Sequence, residues 1–254
     1  MSINRDHFVE TFTELPAWRC SECDGGTLAL ARDTMRRHEE PWSREAHSHE
    51  AWEPDWIREA FSAVLDCQAC DHSTVVAGIA TVTEHWTHDG PEHGQDYTPQ
   101  TFTRPPAIFP LSANLPSPVR NQLVRAFAHF WNDPDACGSA IRRCVEAMLE
   151  EAKVKKWQNA NGKRKGIPLH NRIEHHTKGK LAQVKDRLIA IKWVGNDTTH
   201  FSPQAKTRPE LLDAFELLQS VLHTVYDDRS AELDKLAAKI TKRKGKSPKV
   251  KAKV

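Results

Sequence analysis

Ile191-Lys192-Trp193-Val194-Gly195-Asn196-Asp197-Thr198-Thr199-His200 closes a run in which Leu181, Val184, Leu188 and Ile191 recur at helical spacing. Continued as a helix, this stretch places Lys192, Asn196 and His200 on one face, because residues four apart stack along a helix surface. A cation, an amide and an imidazole projecting together can hold and attack a phosphodiester. The imidazole changes charge near neutral pH while the other two contact phosphate oxygens. The same letters also fit a helix end followed by a surface loop, since Gly195 and Asn196 are common C-cap residues.

Working outward, the flanking segments are helical too. Ser117-Pro118 reads as an N-cap with proline at the first helical position, opening a helix through Leu123, Phe127 and Phe130. Asp133-Pro134 repeats the signal, and Cys137, Ala140, Ile141, Cys144, Val145, Met148 and Leu149 form an apolar stripe that makes both cysteines core residues. Arg142, Arg143 and Glu146 lie off that stripe. Residues 154–180 hold eleven Lys, Arg and His around Gly162 and Gly166, which predicts a basic loop with a short helix near His170 to His175. Such a run is either a solvated face or a phosphate contact. Thr207-Arg208-Pro209-Glu210 is a capping box, opening a helix that buries Leu211, Phe215, Leu218, Val221 and Val225 and leads to the charged stretch Ser230 to Ile240.

The N-terminal third has a different signature. Cys20-Ser21-Glu22-Cys23 and Cys67-Gln68-Ala69-Cys70 each present two thiolates from a tight turn, and two such turns facing each other make the tetrahedral sulfur cage that zinc prefers. Four cysteines complete such a site, so zinc is expected to be structural and its removal to melt this part before the helices. His38, His47 and His49 fall in a solvated insertion spanning residues 34–56. The β-branched run Thr74 to Thr83 reads as one or two short strands completing a zinc ribbon. Seven prolines between Gly90 and Pro118 read as a surface linker. The expected division is therefore a zinc ribbon with inserted segment at 1–90, a proline-rich linker at 91–117, a helical domain at 118–240 and a basic disordered tail at 241–254.

With 254 residues, 39% hydrophobic and 28% charged, the composition is that of an ordinary globular protein. The tail from residue 241 carries seven Lys or Arg and no acid, so the net charge of +2 leaves −5 for the remainder. No apolar run approaches membrane-spanning length, and the polar start lacks a signal-peptide core. These features point to the cytoplasm, where thiols stay reduced and paired cysteines favour metal over disulfides.

Ile141-Arg142-Arg143-Cys144-Val145-Glu146 on the second helix and Val194-Gly195-Asn196-Asp197-Thr198-Thr199-His200 closing the third resemble the bacterial domain-of-unknown-function 4145 family, a branch of the HEPN superfamily. The resemblance covers roughly residues 105 to 228, and members often carry an N-terminal zinc ribbon. It implies a mainly α fold: a HEPN-like bundle of four or five helices preceded by a small β zinc ribbon with a long insertion. Many HEPN domains are metal-independent ribonucleases whose paired Arg-Asn-x-x-x-His motifs meet in a dimer cleft. The resemblance thus implies a homodimer acting on RNA, with His200 as general acid or base and Asn196 orienting the phosphate. Gly195 stands where that motif has arginine, and Lys192 is the nearest cation on the face. Arg143 with Glu146 either restores a guanidinium from the neighbouring helix or forms a simple intrahelical ion pair. Two expectations follow: an endoribonuclease of phage defence or of a toxin system with an antitoxin, or a non-catalytic adaptor of a larger restriction-type complex.

Overall fold

Phe61, Ala63, Leu65 and Cys67 are buried while the residues between them are not, and this period of two makes a strand with one face on a core. The computed structural model describes residues 3–23, 25–88, 90–196, 206–228 and 230–242. In chain order the N-terminal strands are β1 (Trp18–Arg19), β2 (Thr27–Leu30), β3 (Arg36–Glu39), β4 (Arg58–Cys67), β5 (Ser73–Thr87) and β6 (Gly90–Phe102). They form one antiparallel sheet of order β1-β2-β4-β5-β6, with β3 also on β4, and the short helix α1 (Pro41–Ala46) follows β3. The sheet curls so that its two edges approach, and Arg19 of β1 bridges Ala107 beyond the end of β6.

This sheet corrects the expected mainly α fold with a small ribbon, since strands make up 25% of the chain and helices 44%. The Thr74 to Thr83 run belongs to a strand of 15 residues, paired on both sides, and the expected linker supplies β6, a strand of 13. Proline misleads here for a physical reason. It removes one ladder donor, so it is tolerated on an edge strand or at a bulge, and β6 is the edge. Pro99 pairs with Gly78 where the register shifts. Beyond β6, Ala107, Ile108 and Phe109 are buried as core.

The helices are α2 (Ser117–His129), α3 (Pro134–Glu151), α4 (Leu169–His176), α5 (Lys180–Gln183), α6 (Lys185–Asn196), α7 (Arg208–Leu222) and α8 (Ser230–Lys242), with a π turn over His223–Asp227. Asp133 caps α3 by accepting from the Ala136 N–H at 2.8 Å, and Thr207 and Glu210 form the capping box of α7. α3 lies between α2, α6 and α7 with its whole apolar stripe buried, including the free thiols of Cys137 and Cys144. Burial pushes the Cys144 thiol up to about 12, which keeps it protonated and inert. The expected basic loop contains a hairpin of β7 (Trp157–Ala160) and β8 (Lys163–Gly166). Asn161 and Gly162 turn it at φ 54° and 74°, the left-handed pair of a type I′ turn. No helix among the described residues is long and apolar enough to cross a membrane.

Sheet and helices share one core. Trp18 of β1 meets Phe12, Phe102 and Trp131 at ring-centroid distances of 5.4 to 5.6 Å, and Phe8 packs on Phe130 and Trp131. Phe130 continues to Phe215 of α7. Arg208 ties both sides together by donating to the Val9 and Trp131 carbonyls. A Cβ on Gly78 would collide with the Thr98 carbonyl oxygen and lie 2.9 Å from Phe61. Gly78→Ala should therefore cost about 1–3 kcal/mol, the usual scale of overpacking. Denaturant melts should show a lowered midpoint, and an unchanged midpoint would contradict this bulge.

Candidate metal centre and cationic helix face

Two turns create the first site. Cys20 sits just past β1 and its N–H donates to the Gly26 carbonyl at 2.9 Å, folding the first C-x-x-C back on itself through Gly25 at φ 89°. Cys67 ends β4 and its N–H donates to the His72 carbonyl at 2.8 Å, closing the second turn through Asp71 at φ 55°. The antiparallel pairing of Leu28 with Cys67 sets the turns face to face. The Sγ atoms of Cys20, Cys23, Cys67 and Cys70 consequently lie within 4.8 Å of one another, with Cys20–Cys70 at 3.9 Å and Cys23–Cys67 at 3.6 Å. All four are free thiols, so the cluster is compatible with a metal site.

Backbone donors prepare these sulfurs for the anionic form. The Glu22 N–H reaches Cys20 Sγ at 3.3 Å and the Ala69 N–H reaches Cys67 Sγ at 3.5 Å. Burial opposes ionisation of Cys67, but the N–H groups of Ala69 and Cys70 and the neighbouring thiols outweigh it and hold this thiol down to about 7. Cys23 is pushed up to about 12, first by its hydrogen bond with Cys70 and then by burial. Gly26 is packed against the sulfurs: a Cβ there would lie 2.5 Å from Cys67 Sγ and 2.6 Å from Cys23 Sγ. Arg120 of α2 donates to the Ser21 carbonyl at 3.0 Å, so the first turn is also held by the helical half. Of the histidines of the insertion, His47 contacts Glu39 at 2.9 Å and His49 packs against Trp56, while His38 lies on β3 opposite Ala60.

The second site is the face of α6 toward α3. Lys192 is only 3% exposed; burial and then the charge of Arg142 depress its pKa below the ordinary lysine range. Its Nζ sits 3.1 Å from the centre of the Trp193 ring. Gly195 lies so close to α3 that a Cβ would stand 2.6 Å from Arg142 Cβ and 2.8 Å from the Gly138 carbonyl oxygen. Arg143 points elsewhere and donates to Gln122 at 3.4 Å, whereas Glu146 pairs with Arg142 at 3.4 Å. The structure therefore pairs Glu146 with Arg142 rather than with Arg143. Asn196 is the last residue of α6, and His200 lies outside the described residues.

Comparison with known families follows the same division. Residues 124–243 match the model described as Domain of unknown function (DUF4145). Residues 8–106 match another, described as Domain of unknown function (DUF8608). The second match runs through β6, so the N-terminal unit extends past residue 90 as the sheet does. No curated protein and no solved structure matches the chain.

The four cysteines and the glycines after Cys23 are legible in the sequence, whereas the parts played by Arg120 and Arg142 are not. The adjacent glycines let the backbone fold back over the sulfurs, while the two arginines act through tertiary contacts that spacing does not reveal. Cys67→Ser should remove metal from purified protein, and Gly26→Ala should do the same while leaving every ligand in place. Elemental analysis of each variant checks both, and full metal occupancy in Gly26→Ala would contradict the close packing of Gly26 on the sulfurs.

Proposed function

We propose that the chain is an RNA-directed, HEPN-type protein whose helical half cleaves phosphodiesters at the C-terminal end of α6, and whose sheet is held by one structural zinc ion. The zinc reading rests on the cage: a tetrahedron of thiolates with Zn–S near 2.3 Å has edges of about 3.8 Å, and the separations of 3.6 and 3.9 Å bracket that length. Cys20, Cys23, Cys67 and Cys70 would hold the ion, and four thiolates leave it no position for chemistry. Metal content close to one zinc equivalent in protein purified without added metal is the matching test.

The observation that carries the RNA reading is the placement of Lys192 beside Arg142. Two cations are held together, one of them buried, and among the described residues no carboxylate pairs with Lys192. Glu146 already balances Arg142, and a phosphate bound at this pair would bring a second negative charge in a shape that fits a guanidinium beside an ammonium. The close approach at Gly195 explains why a side chain is missing there. α3 occupies the space, and Arg142 supplies from the neighbouring helix the guanidinium that position 195 lacks. In this reading His200 acts as general acid or base, Asn196 orients the phosphate, and Glu146 holds Arg142. Arg143 steadies α2 through Gln122. The active form is a homodimer in which two copies of the site meet, because one face offers few groups to move two protons.

Cleavage should need no added divalent metal, since the acid and base are side chains. It should leave 2′,3′-cyclic phosphate ends and spare DNA, which lacks the attacking hydroxyl. His200→Ala should slow it about a hundredfold or more, the scale of losing a positioned acid or base, and Arg142→Gln should weaken RNA binding while Arg143→Gln does not. One feature favours the adaptor reading: Leu233, Leu236 and Ile240 of α8 are exposed at helical spacing, a stripe suited to docking a larger complex. Wild-type protein that leaves varied RNAs intact, with Arg142→Gln indistinguishable from it in binding, would shift the assignment to the adaptor.

A further inference from the structure

We infer that the β7–β8 hairpin and the adjoining start of α4 form a stacking track for single-stranded RNA, an inference that rests on the RNA-directed reading above. Between Lys153 and Pro168 the chain carries Lys153, Lys155, Lys156, Lys163, Arg164 and Lys165 and no acidic residue, with Lys156 paired to Glu150 of α3. The hairpin gives the bundle almost no core: apart from the half-buried Ala160, all residues of both strands are exposed.

The hairpin is nevertheless well formed. Its register pairs Trp157 with Gly166 and Asn159 with Arg164, so Trp157 and Arg164 share one face while Lys163 and Lys165 share the other. The Arg164 guanidinium lies 4.6 Å from the centre of the Trp157 ring. Gly166 has no side chain to crowd the indole, and a Cβ there would already touch the ring at 3.6 Å. Trp157 remains 44% exposed. A flat indole backed by a guanidinium is a platform on which an unpaired base stacks whatever its identity, and phosphates passing around the edge of this two-stranded ribbon meet Lys163 and Lys165 on its other face.

The track runs on toward the proposed site. The Ile167 N–H donates to the Lys156 carbonyl at 2.9 Å, locking the base of the hairpin to the start of α4. His170, in the first turn of α4, lies 6.4 Å ring to ring from Trp193, which is 55% exposed and carries the Lys192 ammonium on its face. The start of α4, to which the hairpin is tied, thus reaches Lys192 through His170 and Trp193. Duplex bases are already stacked and cannot use an exposed indole, so the track selects single strands.

The test uses the full chain carrying His200→Ala to suppress cleavage, with a fluorescein-labelled 20-nucleotide oligouridylate and a duplex RNA of equal length, read by anisotropy from low to moderate salt. Trp157→Ala should weaken single-strand binding about tenfold, the scale of losing one stacked base. Lys163→Glu with Lys165→Glu should weaken it further and flatten the salt dependence by about 1.4 in log–log slope, two phosphates at about 0.7 each. Far-UV circular dichroism of both variants should match the parent. Trp86→Ala, removing the exposed indole near the tip of the β5–β6 hairpin, should change nothing. If the parent binds and the hairpin variants bind equally well, the track is wrong and the RNA reading stands. If the parent binds neither RNA, both fall. A parent that prefers the duplex overturns the stacking track.

Discussion

Trp18 is the residue through which the two halves of the molecule become one. Its indole is fully buried, its Nε1–H donates to the His7 carbonyl at 2.7 Å, and its edges meet rings from the N-terminal segment, from β6 and from the end of α2. Aromatic pairs of this kind add about 0.5–1.5 kcal/mol each beyond the area they bury. Removing the shared ring would therefore loosen the sheet and the bundle together. β1 itself is only two residues long, too short to hold its place by ladder hydrogen bonds. It is Trp18 that fixes it, and with it the position of Cys20 two residues on.

The cysteine cluster is thus not an appendage. Its first turn is positioned by Trp18 from within and by the Arg120 hydrogen bond from α2, while its second turn is the end of the central strand β4. The expectation that the N-terminal part would melt separately from the helices belonged to a small ribbon on a linker. Ala107, Ile108 and Phe109, which follow β6, are buried in the same continuous core as α2 and α7, and no flexible linker separates the halves there. If the cluster binds the proposed ion, its removal should be felt across the whole molecule. The cationic face of α6 depends on the same bundle, because the approach of Gly195 to Arg142 is set by the packing of α3 against α6.

The helical half was legible because its signals are local. Asp133-Pro134, the Thr207 to Glu210 box and the apolar stripe of α3 each act within a few residues, and each appears where expected. The paired C-x-x-C turns were legible for the same reason. The sheet was not, because a strand is stabilised by partners distant in sequence. Pro91 and Pro99 in β6 are tolerated only because that strand lies at the edge, and nothing near them in the chain announces the edge. The β7–β8 hairpin was hidden differently: Asn161-Gly162 is a strong turn signal, but the flanking residues are lysines, arginine and polar groups rather than the alternating apolar residues that mark a strand. At the candidate site, Lys192 could be seen from its spacing. Arg142 could not, because its role arises from the contact of two helices.

Sheet, cysteine turns and bundle should unfold as a unit around the aromatic seam. Differential scanning calorimetry of the metal-loaded and chelated protein tests it most directly. One transition is expected in each case, with calorimetric and van't Hoff enthalpies in agreement and the midpoint lower after chelation. Two separate transitions, only the first of them moved by chelation, would contradict the shared core.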